Sequence, residues 1–103
     1  MKRGEIRWYK FQRPDKKRPV LILTRTSILE YIGDVTIAPI TTTIRDIPSE
    51  ALLSKADGMD KDCAINFDHI QTVTKERLGP LITSLSPSKL QQVRGAISFA
   101  LGL

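Results

Sequence analysis

Apolar and polar residues alternate in short bursts along most of the chain, and the period changes only near its end. Over residues 5–11, Ile6 and Trp8 fall on one side of an extended backbone while Arg7, Tyr9 and Phe11 fall on the other, so the segment reads as a first strand. Residues 12–17 form a polar loop holding Pro14, and residues 19–23 are a continuous apolar run, as in a strand buried on both faces. Residues 31–40 read as a third strand, broken near its start by Gly33-Asp34; Pro39 cannot donate to a ladder and predicts an edge position. A polar loop over 41–48 leads to a short strand at 50–53, a turn at Asp57-Gly58 and a strand at 63–67. There alternation sets Cys63, Ile65 and Phe67 on one face and Ala64, Asn66 and Asp68 on the other, with His69 turned toward the interior. Gly79-Pro80 breaks the chain, and residues 81–85 make one more short strand.

The period then changes from two to 3.6. Ser86 can cap a helix, Pro87 suits its first position, and Leu90, Val93, Ile97, Ala100 and Leu101 fall within an arc of roughly 100°. Phe99 lies opposite that stripe, either packed under a loop or exposed at a subunit contact. Short strands and one closing helix predict a mainly β fold (α+β), a small antiparallel barrel that removes its sheet edges, with the helix laid across it. No repeat, low-complexity segment or Gly/Ser linker divides the 103 residues, which read as one domain.

Composition narrows the function classes. No apolar run is long enough to span a bilayer and the first residues lack the apolar core of a signal peptide, so the expectation is a cytoplasmic protein without a membrane partner. One cysteine, Cys63, cannot make an internal disulfide and reads as a core thiol. With a single His69 beside it, the clustered ligand set that zinc requires is missing; an all-carboxylate magnesium site has no motif, and no cofactor is expected. The net charge of +5 is uneven: residues 1–45 hold ten Lys/Arg against four Asp/Glu, net +6, and residues 46–103 hold six against seven, net −1. A basic N-terminal half suits phosphate backbones, although a solvated basic surface has the same composition.

Three polar stretches carry candidate chemistry. Asp15-Lys16-Lys17-Arg18 runs directly into buried sequence, which fixes Arg18 at the rim of the sheet, where a guanidinium fork can clamp a phosphate; a solvated hairpin end is the plain alternative. Thr41-Thr42-Thr43-Ile44-Arg45 follows a strand, and its hydroxyls either satisfy turn backbone or donate to a phosphoryl oxygen beside Arg45. Asn66, Asp68 and Gln71 offer amide and carboxylate groups of the kind that read base edges, or that simply bond locally. Arg7 and Arg25 add cations to the basic half as candidate RNA contacts. A histidine pair of the sort many metal-free ribonucleases use is absent, since His69 is alone.

Taken in order, Arg3-Gly4-Glu5-Ile6, Arg18-Pro19-Val20-Leu21-Ile22-Leu23 and Ile37-Ala38-Pro39-Ile40-Thr41 resemble the successive signature blocks of the MazF/PemK toxin family. The segment from Lys61 to Val73, Lys75-Glu76-Arg77-Leu78, Leu85-Ser86 and the closing Leu101-Gly102-Leu103 continue the resemblance over nearly the whole chain. It implies a CcdB/PemK-like barrel of Src-homology-three type, working as a homodimer whose groove holds single-stranded RNA and is blocked by a cognate antitoxin with an acidic C-terminal segment. It further implies metal-independent, sequence-specific cleavage by attack of a 2′-hydroxyl, leaving a 2′,3′-cyclic phosphate and a 5′-hydroxyl. Carried over by position, Arg18 and Thr41 match the arginine and threonine assigned to catalysis. Lys16, Lys17, Thr42, Thr43, Arg45, Asn66 and Gln71 stand as RNA contacts. Asn66 occupies the place where PemK-like members carry an arginine two residues before the aspartate, which removes an Arg/Asp pair and favours Arg18 with Thr41. The base for the 2′-hydroxyl is open between Asp15 and Asp68, because arginine stays protonated.

Two alternatives remain at this level. A CcdB-like gyrase inhibitor shares the barrel but relies on a tryptophan near the C-terminus, whereas the only tryptophan here is Trp8. A non-catalytic RNA-binding barrel would use Arg18 only to grip phosphate.

Overall fold

The computed structural model describes residues 1–12 and 16–103, and among these the chain forms seven strands, four 3-10 turns and one helix. The strands are β1 (Glu5–Lys10), β2 (Lys17–Ile22), β3 (Asp34–Thr41), β4 (Glu50–Leu53), β5 (Cys63–Asn66), β6 (Gln71–Thr74) and β7 (Leu78–Ser84), and α1 spans Pro87–Leu101. All described pairings are antiparallel, in the order β4-β5-β3-β2-β1-β7, with β6 also on β3. Mainly β with one C-terminal helix is therefore what the patterning predicts. The expected closure is not seen among the described residues: the sheet curls as a half-barrel, and β4 and β7 end its ladder.

Alternation places two apolar sets on the two faces of this sheet. Ile6, Leu21, Ala38, Ile65 and Phe67 meet Val93 and Ala96 of α1 on one face, while Tyr9, Val20, Ile22, Leu29, Val35 and Ile37 cluster on the other. The largest fully buried side chains, Phe67, Ile6, Leu21, Ile22, Ile37 and Ile65 among them, each contribute about 1.5–3 kcal/mol of burial. The helix begins and ends as its sequence predicts: the Ser86 side chain accepts from Lys89 N, Pro87 opens the first turn, and Gly102 closes it at φ 71°. Of its stripe, Val93 is buried and Leu90, Ile97 and Ala100 are half-buried, but Leu101 is 56% exposed; Phe99, opposite the stripe, is 63% exposed.

Four local expectations are corrected. Pro39 is not on an edge strand; it pairs across from Val20 where β3 passes from β6, which ends at Ile37↔Gln71, to β5, which begins at Ile40↔Ile65. Its missing donor falls at the split between two partner strands, which solves the same problem as an edge. Gly79-Pro80 does not break the chain, because β7 runs through it as the terminal strand and its register against β1 is irregular there. β6, a short polar segment with weak alternation, has no counterpart in the patterning and is formed by its ladder to β3. Finally, β5 stops at Asn66: its side chain accepts from Asp68 N at 2.9 Å, and the chain turns through a 3-10 segment at Phe67–His69. His69 is thereby exposed rather than interior, and Asn66 is buried while Asp68 is not.

Candidate functional site

The β2–β3 ladder decides where the two candidate catalytic side chains stand. Val20 pairs with Pro39, Leu21 with Ala38 and Ile22 with Ile37. The ladder ends at Val20↔Pro39, and Arg18 and Thr41 each lie two residues beyond that last pair, one on β2 and one on β3. A groove of about 440 Å³ is bounded by Arg18, Thr41, Thr43, Arg45, Asn66 and Gln71. A second, of about 300 Å³, is bounded by Trp8, Lys17, Arg18, Thr41, Thr42 and Lys61. Arg18, Thr41 and Lys16 belong to both, so the matched pair stands where the grooves meet.

The two side chains are equipped differently. Arg18 is exposed and has no hydrogen-bond or ion-pair partner among the described residues, so its fork of donors is free for an anion. Thr41 Oγ1 accepts from Thr43 N at 3.0 Å, which fixes the loop after β3 and leaves the hydroxyl proton available to donate. Thr41 thus meets the turn-backbone reading of the threonine run. Tyr9, opposite Arg18 in the β1–β2 register, is not a proton-transfer group: burial pushes its phenol up, and its hydroxyl donates to the Thr74 carbonyl at 3.1 Å. Cys63 borders the smaller groove, but burial, with Asp62 and Asp57 adding to it, pushes its thiol up and keeps it protonated, in line with a core thiol.

Several predicted site residues stand elsewhere. Arg7 lies on β1 with Nε 2.9 Å from Glu5 Oε1 and Nη1 donating to the Gly79 carbonyl at 3.1 Å, so its donors hold β1 to β7 and face neither groove. Arg25 borders a separate depression with Arg3 and Asp34. Asp68 lines neither groove; its Oδ2 accepts from Ser49 Oγ at 2.6 Å. Asp15 lies outside the described residues. Lys16, Lys17, Thr42, Thr43, Arg45, Asn66 and Gln71 do come together around Arg18 and Thr41. No three His, Cys, Asp or Glu side chains among the described residues gather as a metal site requires.

Sequence reasoning missed two groups in the larger groove. Glu50 is nine-tenths buried; its Oε1 accepts from both Arg45 N and Asp46 N at 3.1 Å, and its Oε2 is buried without a partner among the described residues. This carboxylate shapes the loop after β3, including Asp46 at φ 55°, and nothing in the local pattern announces it. The other is His69, set aside by strand alternation; the Asn66-Phe67-Asp68 spacing, which suits an Asn side chain bonding two residues on, was the signal for the turn.

Comparison with known proteins agrees on one family. The family model described as "PemK-like, MazF-like toxin of type II toxin-antitoxin system" matches residues 2–101. The chain is similar to the "Probable endoribonuclease MazF2" of Mycobacterium tuberculosis, 38% identical over 93 residues that cover 89% of each chain. Its fold is similar to that of the solved Mycobacterium tuberculosis toxin MazF-mt6, with a TM-score of 0.88 and 34% identity over 96% of this chain and 97% of that one. A solved endoribonuclease from a mycobacterial species, in complex with its cognate antitoxin, matches with a TM-score of 0.88 and 26% identity over 100% of this chain and 96% of that one.

Proposed function

The chain belongs to the PemK-like, MazF-like toxin family of type II toxin-antitoxin systems, and on that footing we propose that it is an endoribonuclease toxin that cuts single-stranded RNA at the junction of the two grooves. The observation that carries the reading is that Arg18, whose guanidinium has no partner among the described residues, and Thr41 border the same two basic grooves. Attack of a 2′-hydroxyl on the adjacent phosphorus places extra negative charge on the phosphoryl oxygens. A preorganised guanidinium stabilises that charge more than it stabilises the ground state, and Thr41 Oγ1–H orients one oxygen. The products are a 2′,3′-cyclic phosphate and a 5′-hydroxyl, and the chemistry needs no metal.

Around this centre, Lys16, Lys17 and Arg45 take the flanking phosphates, while Thr42, Thr43, Asn66 and Gln71 face the bases. Trp8, 38% exposed in the smaller groove among cations, offers a stacking surface to a base. The active form is a homodimer, and the partner is a cognate antitoxin whose acidic C-terminal segment folds into the basic groove. Incubation of the purified protein with a long single-stranded RNA in EDTA, with both ends of each cut mapped, tests the reading. Cuts bearing cyclic phosphate and 5′-hydroxyl at a recurrent short sequence are expected; cutting that needs added magnesium overturns the mechanism. Arg18→Ala separates catalysis from the RNA-binding alternative, since only catalysis predicts lost cleavage with retained affinity.

A further inference from the structure

The proposed reaction lacks a group to take the 2′-hydroxyl proton, and we infer that His69 is that general base. The inference rests on the endoribonuclease reading and assigns its missing role. His69 sits in the 3-10 turn after β5, exposed, in the groove that Arg18 and Thr41 border. Its side chain has no hydrogen-bond or ion-pair partner among the described residues, so nothing occupies the imidazole. The other groups there are poorly suited. Lys16, Arg18 and Arg45 are cations. Glu50 has one oxygen held by two backbone N–H groups and the other buried, out of reach of a sugar. Asp68, beside it on the turn, is bound by Ser49 and lines neither groove. Helix α1 also packs on this turn and carries Lys89 and Arg94; Lys89 Nζ is turned to the Leu52 carbonyl and to Asp57. On β3, which packs there too, the groove-facing residues Pro39, Ile40 and Thr41 carry no charge.

In the step, the O2′–H bond breaks and its proton passes to an imidazole nitrogen. The freed electron pair forms the O2′–P bond, the P–O5′ bond breaks, and O5′ leaves with its pair and takes a proton from water. The imidazolium returns its proton to water, and no atom is oxidised or reduced. Imidazole suits the task because it is the side chain most often used for general acid–base catalysis.

The test is single-turnover cleavage by the wild-type protein and His69→Ala across pH, with affinity measured on an oligonucleotide carrying a 2′-deoxyribose at the cut site. His69→Ala is expected to slow cleavage by about 10²–10⁴-fold at unchanged affinity. The wild-type pH–rate profile should carry an acid limb that the variant loses, and added free imidazole should restore part of the rate. Because the side chain is exposed and unpartnered, the variant should fold, and its retained affinity reports that directly. Cleavage by His69→Ala at the wild-type rate, or with the same acid limb, overturns the assignment alone. Equal loss of affinity and cleavage overturns it too, leaving His69 as an RNA contact. A wild-type protein that cuts without leaving a cyclic phosphate overturns the 2′-hydroxyl mechanism and the base together, and one that cuts no RNA overturns the endoribonuclease reading.

Discussion

Arg7 and Arg18 stand two register positions apart on neighbouring strands, Arg7 across from Val20 and Arg18 across from Tyr9, and yet they do opposite things. Arg7 spends its donors inside the molecule, on the Glu5 carboxylate and the Gly79 carbonyl, with only 22% of its side chain exposed. Arg18, near the end of the ladder, spends no side-chain donor on any of the described residues. The same residue type is a fastener in one place and a receptor in the other, and the difference is how many acceptors the fold places beside it.

That contrast can be broken at several points. Arg18→Ala should reduce cleavage by about 10²–10³-fold, the usual loss for one preorganised charge-stabilising donor, while leaving thermal stability unchanged; a large drop in melting temperature would put Arg18 in the same class as Arg7. Thr41→Val should come next, slowing cleavage and also loosening the loop it bonds, so that proteolysis between residues 41 and 49 speeds up. Arg7→Ala should do the reverse, costing roughly 1–2 kcal/mol of stability through lost charge-assisted bonds in a urea titration, with cleavage by the folded fraction unaffected.

The smallest effect is in pH dependence. Burial pushes the Glu5 carboxyl up, but the Arg7 hydrogen bond, a bond with the Lys2 backbone and the charges of Arg7 and the N-terminus outweigh it and hold Glu5 below the ordinary carboxylate range. A depressed folded-state value contributes stability above the unfolded pKa and loses it as pH falls through the folded one. In Arg7→Ala the Arg7 hydrogen bond and charge are gone and only the Lys2 bond and the N-terminal charge are left to offset burial, so acid destabilisation should set in at higher pH than in the wild type. Identical acid profiles for the two proteins would show that the pair contributes no stability.

The two arginines also show where sequence reasoning stops. Both belong to a basic half that is legible from charge counting, and both are plausible phosphate contacts until the acceptors around them are known. The rim position of Arg18 follows from its place before an apolar run, and that expectation holds. The engagement of Arg7 depends on Gly79, 72 residues away, which no local pattern can supply. Asp68 and His69 are a nearer case of the same kind. Strand alternation carried past Asn66 put His69 inside, whereas one Asn side chain accepting from the backbone two residues on ends the strand and exposes it.

By itself the sequence determined most of the strands, the capped helix, the basic N-terminal half and the block order that marks the family. These are written in periodicity, caps and spacing, which act over a few residues, and burial of the resulting apolar faces does the rest. Only the tertiary structure decided which polar groups meet: that Arg18 and Thr41 border the same grooves, that Glu50 holds the loop beside them, and that His69 lines the groove. A hydrogen-bond donor or a charge acquires its role from the partners within about 3 Å, and those partners come from strands that are distant in sequence.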